Sequence, residues 1–530
     1  MRYVLLFSAL LFVLSGCQKK IGANSYGLDK SDTLRLILST EPPTLDWTKS
    51  SDTTSAFVQE NIMEGLVEFD YTSPTLELEP ALAESWTSNS DNTRWTFKLR
   101  KGVLWNDGVP LTIQHVFDGW KRLLDPETAS IYSYFLFSIK NAQQYNSGEL
   151  KDFSKVGVKI ESEDTISVEL GVPTNFPYLL THHSTFPVRL DVIGKHGERW
   201  TIPSNIVTLG AYNLKIWDHD KAVVLERNEK YYGEKAIIKN ILAYVIEQDV
   251  TALNLYVSKE VDALRTLSSA ALKKLKTWPG YSQVPILTTY YYGFNTKRPP
   301  TDNADLRRAI ISAVDRSQIT KMLDGGQRPI SGWIPTGMFG FDDEAGLKFN
   351  IEKALEYYHK AGYSKENPAP RISLSFNTNE DHKRVAENIQ AQLKKNLNLS
   401  VEIKNEEWKV YLGTLRSNPA NFYRMGWVAD YPDPHNFYDL MNSKSDNNYT
   451  GWKSTEFDKY LDLALRSKDE EQKFKYYQGA GQLLLVEGAA VLPIYSGTRH
   501  NLVDSRVLNF PSNAMDRYPL KKVRLKDESK

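Results

Sequence analysis

The stretch RISLSFNTNEDHKRVAENIQAQLKKNLNLSVEIKN, residues 371–405, decides the fold class. It predicts a strand over 371–376, a helix over 380–397 and a second strand over 399–405, because the apolar positions change from alternation to helical spacing and back. Two strands joined by a helix pair in parallel, with a right-handed crossover. The stretch therefore predicts an α/β sheet.

Further helices and a strand are predicted on both sides of this unit. Apolar positions at helical spacing predict helices over 306–323 and 350–362, and a further helix over about 407–415. A strand over 421–429 follows. This half of the chain is therefore expected to form one α/β lobe.

An earlier block has a different organisation. Residues 94–112 alternate apolar and polar side chains around a turn at Asn106-Asp107-Gly108, as hairpin strands do. A helix over 112–124, with Thr112 as its N-cap, and a strand that begins at 165 and leads into a Pro-broken loop complete the block. This pattern indicates an α+β domain.

Composition limits the function classes. Among 530 residues, Lys plus Arg and Asp plus Glu are equal at 65 each, so no global field favours nucleic acid. The 41% hydrophobic content is ample for more than one core. Cys17 is the single cysteine, which excludes an intramolecular disulfide and a Cys-based metal site.

The first residues, MRYVLLFSALLFVLSGC, predict an export signal over 1–17. The apolar run is shorter than the roughly 20 residues that span a bilayer. Its end, Leu14-Ser15-Gly16-Cys17, resembles the lipobox of bacterial lipoproteins, in which the Cys is acylated and becomes the mature N-terminus. Residues 18–31 then form a polar tether. The alternative is an ordinary cleaved signal in which Cys17 is accidental.

Two polar residues follow strands of the predicted lobe. Asp430 comes after the strand 421–429, and His382 lies in the first turn of the helix that follows the strand 371–376. In open α/β sheets, ligands bind outside the carboxyl ends of the strands. Both residues are therefore candidates for a ligand site.

The stretch YRMGWVADYPDPHNFY, residues 423–438, carries a second charge. Arg424, Gly426, Val428 and Asp430 share the parity of one strand face. The two charges are separated by about 20 Å along an ideal strand, and inward-leaning side chains shorten that gap. Three or four residues of extended peptide span roughly 10–14 Å. A carboxylate, a bare backbone strip and a guanidinium therefore fit a short peptide that adds as a strand.

The same residues also allow plainer interpretations. Asp430 fits a cap for the turn at Pro432, and Arg424 fits a strand-edge surface residue. His382 at a helix start fits a structural or exposed role. Trp427 has the opposite parity, which favours a core or cleft-wall position.

Several blocks, in order, resemble the oligopeptide-binding proteins of bacterial ABC importers, solute-binding protein family 5. They are ALAESWTSNSDNTRWTFKLRKGVLWNDG, DFSKVGVKI with TISVEL, YYYGFNT, DLRRAIISAVDR and RMGWVADYPDPHNF, within residues 32 to 525. The resemblance implies a two-lobed periplasmic-binding-protein fold (type II, cluster C-like). Its expected domains are a lobe 1 core (32–60, 188–283 and 497–530), an extra α+β domain in lobe 1 (61–187) and an α/β lobe 2 (284–496).

The resemblance also implies roles for single residues. Asp430 corresponds to the family's partner of the ligand α-ammonium, and Arg424 to the residue that helps hold the ligand carboxylate. His382 matches a histidine that does so for some ligand lengths. Main-chain partners are expected near Gly426 and Val428.

The pattern departs from the family at one point. A further family arginine falls on Leu415, and Arg416 follows it, so Arg416 is a candidate that is out of register. Carboxylate recognition, and with it the preferred peptide length, is the property that this departure affects.

The resemblance implies a substrate-binding lipoprotein that captures short peptides in a closing cleft. Its expected partners are an ABC permease with ATPase subunits and the membrane that holds its lipid anchor, with the protein exported to the cell envelope as a monomer. No enzyme activity, cofactor, metal or nucleic acid is expected. A murein peptide, a metal chelate or a sugar is the alternative ligand.

A second alternative is an exported metallopeptidase. Asp430, Asp433 and His435 could form part of a zinc site. The sequence has no H-E-x-x-H, G-x-S-x-G or Walker A motif and no Cys nucleophile, so this alternative is the weaker one.

Overall fold

The computed structural model describes residues 23–73 and 75–526. The predicted signal sequence and Cys17 lie outside these residues. Within them, every helix is too short or too polar to cross a membrane.

The strands in the described part of the chain include both alternating and fully buried ones. They are β1 (Thr33–Leu38), β2 (Val67–Phe69), β3 (Leu78–Pro80), β4 (Ala83–Ser88), β5 (Arg94–Leu99), β6 (Val158–Ser162), β7 (Thr165–Glu169), β8 (Tyr212–Asp218), β9 (Ala222–Arg227), β10 (Asn240–Val245), β11 (Ala263–Leu264), β12 (Tyr281–Phe294), β13 (Arg328–Pro329), β14 (Ile372–Asn377), β15 (Val401–Glu406), β16 (Phe422–Val428), β17 (Val491–Val503), β18 (Val507–Leu508) and β19 (Arg524–Leu525).

The α-helices of the same residues lie between these strands, singly or in succession. They are α1 (Thr53–Ile62), α2 (Ile113–Leu124), α3 (Ala142–Asn146), α4 (Phe176–Leu179), α5 (Leu190–His196), α6 (Asp249–Val257), α7 (Ser269–Leu275), α8 (Ala304–Ser312), α9 (Arg316–Leu323), α10 (Ile351–Lys360), α11 (Glu380–Leu397), α12 (Trp408–Ser417), α13 (Pro434–Asp439), α14 (Thr455–Arg466) and α15 (Glu470–Gln482).

One large mixed sheet runs through the molecule. Its order is β15-β14-β16-β12-β17-β11-β1-β10-β9-β8, and β13 pairs with β17. The long antiparallel strands β12 and β17 belong to both halves, since β12 pairs with β16 on one side and β17 pairs with β11 on the other. The two lobes are therefore joined by the strands β12 and β17, which run from one lobe into the other.

The unit that opened the sequence analysis is confirmed. β14 and β15 pair in parallel, with Ile372 opposite Val401, and α11 joins them. The helix buries Val385, Ile389 and Leu393 against the sheet. Burying each of these side chains stabilises the fold by about 1.5–3 kcal/mol.

The smaller α+β block is also confirmed. β4, β5, β7 and β6 form a separate four-stranded antiparallel sheet. Thr112 begins α2 with a capping box, in which His115 is the reciprocal partner. The loop after β7 contains a short helix, α4, which sequence reasoning did not predict.

One predicted helix is wrong in its extent. The sequence predicted a single helix over 306–323, but the structure has α8 and α9 with a break between them. Asp315 causes the second start, because its carboxylate accepts the Ser317 N–H as an N-cap. An apolar stripe continues through the break and hides it in the sequence.

The predicted domain boundaries stay predictions. The register between β12 and β17 shifts between Pro285 and Thr289, opposite Thr498 and Ser496. These positions are close to the expected boundaries at 283/284 and 496/497. A β-bulge bends and twists a strand locally, which suits a passage between two lobes.

Candidate ligand-binding cleft

The carboxyl ends of two sets of parallel strands face each other across the molecule. In one lobe β1 is parallel to β10 and β11, and in the other β14 is parallel to β15 and β16. Asp381, at the start of α11 after β14, accepts the N–H of Ser269 at the start of α7 after β11, at 3.1 Å. The two edges that bind ligands in α/β sheets therefore line one cleft.

Asp430 lies in this cleft and is 6% exposed. Its Oδ2 accepts an N–H of Asn436 at 3.0 Å, and the Asn436 side-chain oxygen accepts the Asp430 N–H at 2.9 Å and the Trp427 indole N–H at 3.0 Å. The turn into α13 brings Asn436 back to this position. The carboxylate bonds to side chains, while Asp433 caps α13, so the turn-cap interpretation of Asp430 is wrong.

The other partners of Asp430 come from the opposite side of the cleft. Arg517 approaches Oδ1 to 3.5 Å, and His182 Nε2 approaches the same oxygen to 3.4 Å. The Ser184 N–H donates to His182 Nδ1, which places the imidazole proton on Nε2, facing Asp430. Burial holds the pKa of His182 well below its usual value, so this ring is neutral.

The cluster around Asp430 has an unbalanced charge. Arg517 also forms an ion pair with Glu60, so two carboxylates share one guanidinium. Burial, with a smaller contribution from Glu60, raises the pKa of Asp430 to about 6, against the opposing effect of Arg517. Burial likewise raises the pKa of Glu60. This end of the cleft therefore has more carboxyl groups than cations to pair with them.

Arg424 lies at the other end of the same strand. Its guanidinium carbon is 4.5 Å from the centre of the Tyr290 ring, and Nη1 donates to Asn377 Oδ1 at 3.2 Å. Nη2 lies 3.3 Å from the point that a Cβ on Gly426 would occupy. The side chain therefore folds back over Gly426 toward Asp430, and the missing Cβ leaves it room.

Arg424 has no compensating anion in the described part of the chain. Its Nε is buried without a hydrogen-bond partner, and its other contacts are the neutral groups given above. His382 is its neighbour, with Nδ1 at 3.3 Å from the Tyr290 hydroxyl. Burial and the charge of Arg424 hold the pKa of His382 well below its usual value. In the described residues the charge of Arg424 is therefore left without an ion pair.

The main chain between the two charges has a free edge. The Ala429 N–H donates to the Leu287 carbonyl of β12, so by alternation Gly426 and Val428 turn their N–H and C=O groups away from β12. On that other side, β14 pairs with β16 only as far as Tyr423. Gly426 and Val428 are therefore placed to pair with an added strand.

The remaining predicted residues fall in two places. Trp427 is buried and stacks across the cleft on Tyr132, with ring centres 6.2 Å apart. Arg416 is exposed at the end of α12, and its Nη2 donates to Ser51 Oγ at 3.3 Å. Leu415, where the family has an arginine, is buried. Arg416 thus meets the rim of the cleft and is not part of the Arg424 group.

Sequence reasoning missed most of the opposite wall. Tyr132, His182 and Arg517 contact Asp430 but lie far from it in the chain. The adjacent histidines His182-His183, which follow an apolar segment, were the one local signal for a buried polar site. Nothing in the sequence near Arg517 marks it as a partner of Asp430.

The predicted metallopeptidase residues do not form a metal site. Asp433 accepts the His435 N–H at 2.8 Å and pairs with Lys473 at 3.1 Å. Across residues 23–73 and 75–526, no group of three or more His, Cys, Asp or Glu side chains is arranged to hold a metal ion.

Comparison with known proteins identifies the family. Residues 77–449 match the model of the bacterial extracellular solute-binding proteins, family 5. The chain is 33% identical, over 93% of both lengths, to the oligopeptide-binding protein OppA of Bacillus subtilis. It superposes with a TM-score of 0.88, at 30% identity, on Haemophilus influenzae OppA in complex with the peptide RPPGFSPFR, covering 94% of this chain and 99% of that one.

A second pair of structures shows the arrangement of the lobes. The TM-score is 0.88, at 29% identity, against the Escherichia coli murein tripeptide binding protein MppA, covering 94% of this chain and 99% of that one. It falls to 0.64 against the unliganded open form of MppA, at 29% identity and covering 95% and 99%. The lobes are therefore closed on each other, as the direct contacts of Asp430 and Trp427 also require. With the two-lobed α/β fold and the family match over most of its length, this chain belongs to the bacterial extracellular solute-binding proteins, family 5.

Proposed function

We propose that this protein is the substrate-binding subunit of an ABC importer and closes its two lobes around short peptides. The observation that carries the proposal is the charge pattern along β16. An anionic end that lacks one cation and a cationic end that lacks an anion flank a strip of free main chain. A peptide with free termini complements all three features. Its α-ammonium group complements the anionic end, its carboxylate the cationic end, and its backbone the free main chain.

The spacing supports a short ligand. Because Arg424 folds back over Gly426, the relevant distance is the four residues from Gly426 to Asp430, about 13 Å along a strand. Three to four extended residues span roughly 10–14 Å. In this proposal Asp430 binds the α-ammonium, Arg424 the terminal carboxylate with His382 beside it, and Gly426 and Val428 pair with the ligand backbone.

The free edge also predicts the kind of specificity. Main-chain pairing and terminal charges are common to all peptides, so the ligand side chains contribute little unless a particular residue of the wall addresses them. Trp427 and the rings around Tyr132 form an apolar wall near the ammonium end. The proposed ligand class is therefore defined mainly by its two ends.

The test is calorimetric titration with tri-alanine in four forms: unmodified, N-acetylated, C-amidated and both. We expect binding of the unmodified peptide, a severe loss on acetylation and a smaller loss on amidation. Recovery of the peptide intact after incubation would support binding without catalysis. Equal affinity for all four forms would contradict recognition by the termini.

A murein peptide is the second candidate, because it also carries a free ammonium group, and a relative of this fold is named for binding one. A metal chelate or a sugar lacks that group and leaves the anionic end uncompensated. Mass spectrometry of the ligand released from the purified protein would distinguish these classes.

Attachment to the membrane belongs to the same proposal. Cys17 carries the acyl chains, and more than one chain is needed for stable anchoring. The lipid keeps the protein at the outer face of the membrane, beside a permease with its ATPase subunits. We expect Cys17→Ser to move the protein from the membrane to the soluble fraction. A variant that still fractionates with membranes would contradict the lipobox interpretation.

A further inference from the structure

Arg265 is a second arginine at the edge of the cleft. It follows β11, whose carboxyl end adjoins the ends of the parallel strands β1 and β10. A small cavity at this edge is lined by Ser39, Asp249 and Arg265. Burial and the carboxylates of Glu380 and Asp381, at the start of α11, raise the pKa of Asp249 to about 6. This edge of lobe 1 therefore faces lobe 2.

The guanidinium of Arg265 is fixed by two aromatic rings. Its central carbon lies 4.0 Å from the ring centre of Phe57 and 4.6 Å from that of Tyr518. Stacking of this kind holds the plane of the group and leaves its N–H edges available. Arg265 is thus held in one orientation without a bond to a carboxylate.

No protein anion compensates this charge within 4 Å in the described residues. Nε is buried without a hydrogen-bond partner. The Asp516 carboxylate acts on the charge of Arg265, but it is already paired with Arg499. Other buried arginines of the chain differ, since Arg307 and Arg316 donate to main-chain carbonyls and Arg499 pairs with Asp516. Leaving a largely buried cation without a counter-charge is unfavourable.

Arg265 is linked through α1 to the partners of Asp430. Phe57, under the guanidinium of Arg265, and Glu60, the partner of Arg517, are three residues apart on α1, about 4.5 Å along the helix axis. Arg517 in turn contacts Asp430. Arg265 therefore belongs to the same wall of lobe 1 as the partners of Asp430.

We infer that Arg265 binds a second carboxylate of the ligand, from lobe 1. This inference rests on the proposed function. The carboxylate belongs to an acidic side chain of the peptide or, in the shortest ligands, to the C-terminus. A planar guanidinium held between rings matches a carboxylate in a bidentate arrangement. Arg265 thereby makes the protein selective for acidic peptides.

The test compares tripeptides of alanine in which Glu or Gln is placed at each position in turn. Each is titrated calorimetrically as the free acid and as the C-terminal amide. In the wild type we expect Glu to bind about 10-fold more tightly than Gln at one position, as a charge-assisted hydrogen bond provides. In Arg265→Met the ratio falls to about one, while Arg265→Lys keeps part of it.

A matched control is Arg100→Met. Arg100 also stacks on a ring, at 5.5 Å from the centre of Tyr232, but it lies in the smaller α+β domain and away from the cleft. Thermal unfolding of the three variants verifies that each is folded. The control is expected to keep the wild-type ratio of Glu to Gln affinity.

The same titrations distinguish a side-chain carboxylate from the C-terminal carboxylate. A loss in Arg265→Met that is confined to Glu against Gln assigns the site to a side chain, and a loss confined to acid against amide assigns it to the C-terminus. Unchanged ratios of both kinds in Arg265→Met would overturn the inference. Failure of the wild type to bind tri-alanine in any form would instead overturn the proposed function.

Discussion

The two ends of the cleft are built differently. At the anionic end, Asp430 is buried and contacts Asn436 from its own lobe and His182 and Arg517 from the other. At the cationic end, Arg424 is half-buried, rests on the Tyr290 ring and has one hydrogen bond, to Asn377. One end is fixed by a network, and the other is held by a single flexible side chain.

In the proposed function, this difference explains how one site accepts peptides of several lengths. A charge enclosed by fixed groups defines a single position for the ligand ammonium. A guanidinium on a flexible stem, with Nε unpaired and room above Gly426, can meet a carboxylate at more than one distance. In the proposed binding mode, the ammonium end therefore sets the register of the peptide, and the carboxylate end adapts to its length.

The largest expected effect is the loss of the Asp430 carboxylate. Removing one member of a buried ion pair costs about 3–5 kcal/mol, which is roughly a 100- to 3,000-fold loss of affinity. We expect Asp430→Ala to weaken tri-alanine binding by this amount. N-acetylation should harm the wild type severely and the variant little, because the pair is already absent.

A matched control for this variant is Asp439→Ala. Asp439 is a half-buried carboxylate of lobe 2 with a nearby asparagine, Asn442, and burial raises its pKa to about 7. It should change the melting temperature and leave the affinity intact. An Asp430→Ala protein with wild-type affinity and a lowered melting temperature would contradict the difference between the two ends.

Arg424→Met should have a smaller effect. A charge-assisted hydrogen bond at a half-exposed position contributes about 1–2 kcal/mol after solvent screening, or roughly a 5- to 30-fold loss of affinity. The loss should disappear when the peptide is C-amidated. Titration of both peptide forms against both proteins measures it, and a loss as large as that of Asp430→Ala would remove the proposed asymmetry.

The pH dependence should come from the anionic end. Asp430 binds an ammonium group only as the carboxylate, and its pKa of about 6 without ligand means that protonation competes as the pH falls. Above about pH 8 the α-amino group of the peptide itself loses its proton, so the measurement stays below that pH. From pH 7 to pH 5 the affinity should fall about 10-fold. Asp430→Asn should give a flat profile over this range. A wild-type affinity that rises on acidification would have the wrong sign.

The smallest effect is expected for Gly426→Ala. The new Cβ would lie 3.3 Å from Arg424 Nη2, which is the mobile end of a long side chain and can move away. We expect a 2- to 5-fold loss of affinity for free peptides and none for amidated ones, because the shift affects the carboxylate end alone. Equal losses for both forms would instead indicate damage to the strand edge.

The sequence predicts local features of this protein better than its contacts across the cleft. The unit of β14, α11 and β15 was predictable because its periodicity lies within a short segment, and Asp430 and His382 were identified because they follow strands. Arg517 lies 87 residues from Asp430, and no periodic pattern links positions so far apart. The break at Asp315 was missed because burial continues on both sides of it.

Residue parity along the strand predicted which face a residue occupies but not where a long side chain goes. It placed Arg424, Gly426 and Val428 on one face, and the structure has them half-buried between buried neighbours. It gave no direction for the arginine side chain, since a flexible stem is positioned by what it packs on. Tyr290, from β12, supplies that surface.

The pairing of Glu60 with Arg517 has a consequence for how the chain is made. The two residues are 457 positions apart, and β1 takes its place in the sheet only beside β10 and β11, which are synthesised some 200 residues later. Contacts so distant in the chain form slowly. The main sheet of lobe 1 is therefore completed only after β17, near the C-terminus, has been synthesised, whereas the small sheet of β4 to β7 needs none of these distant partners.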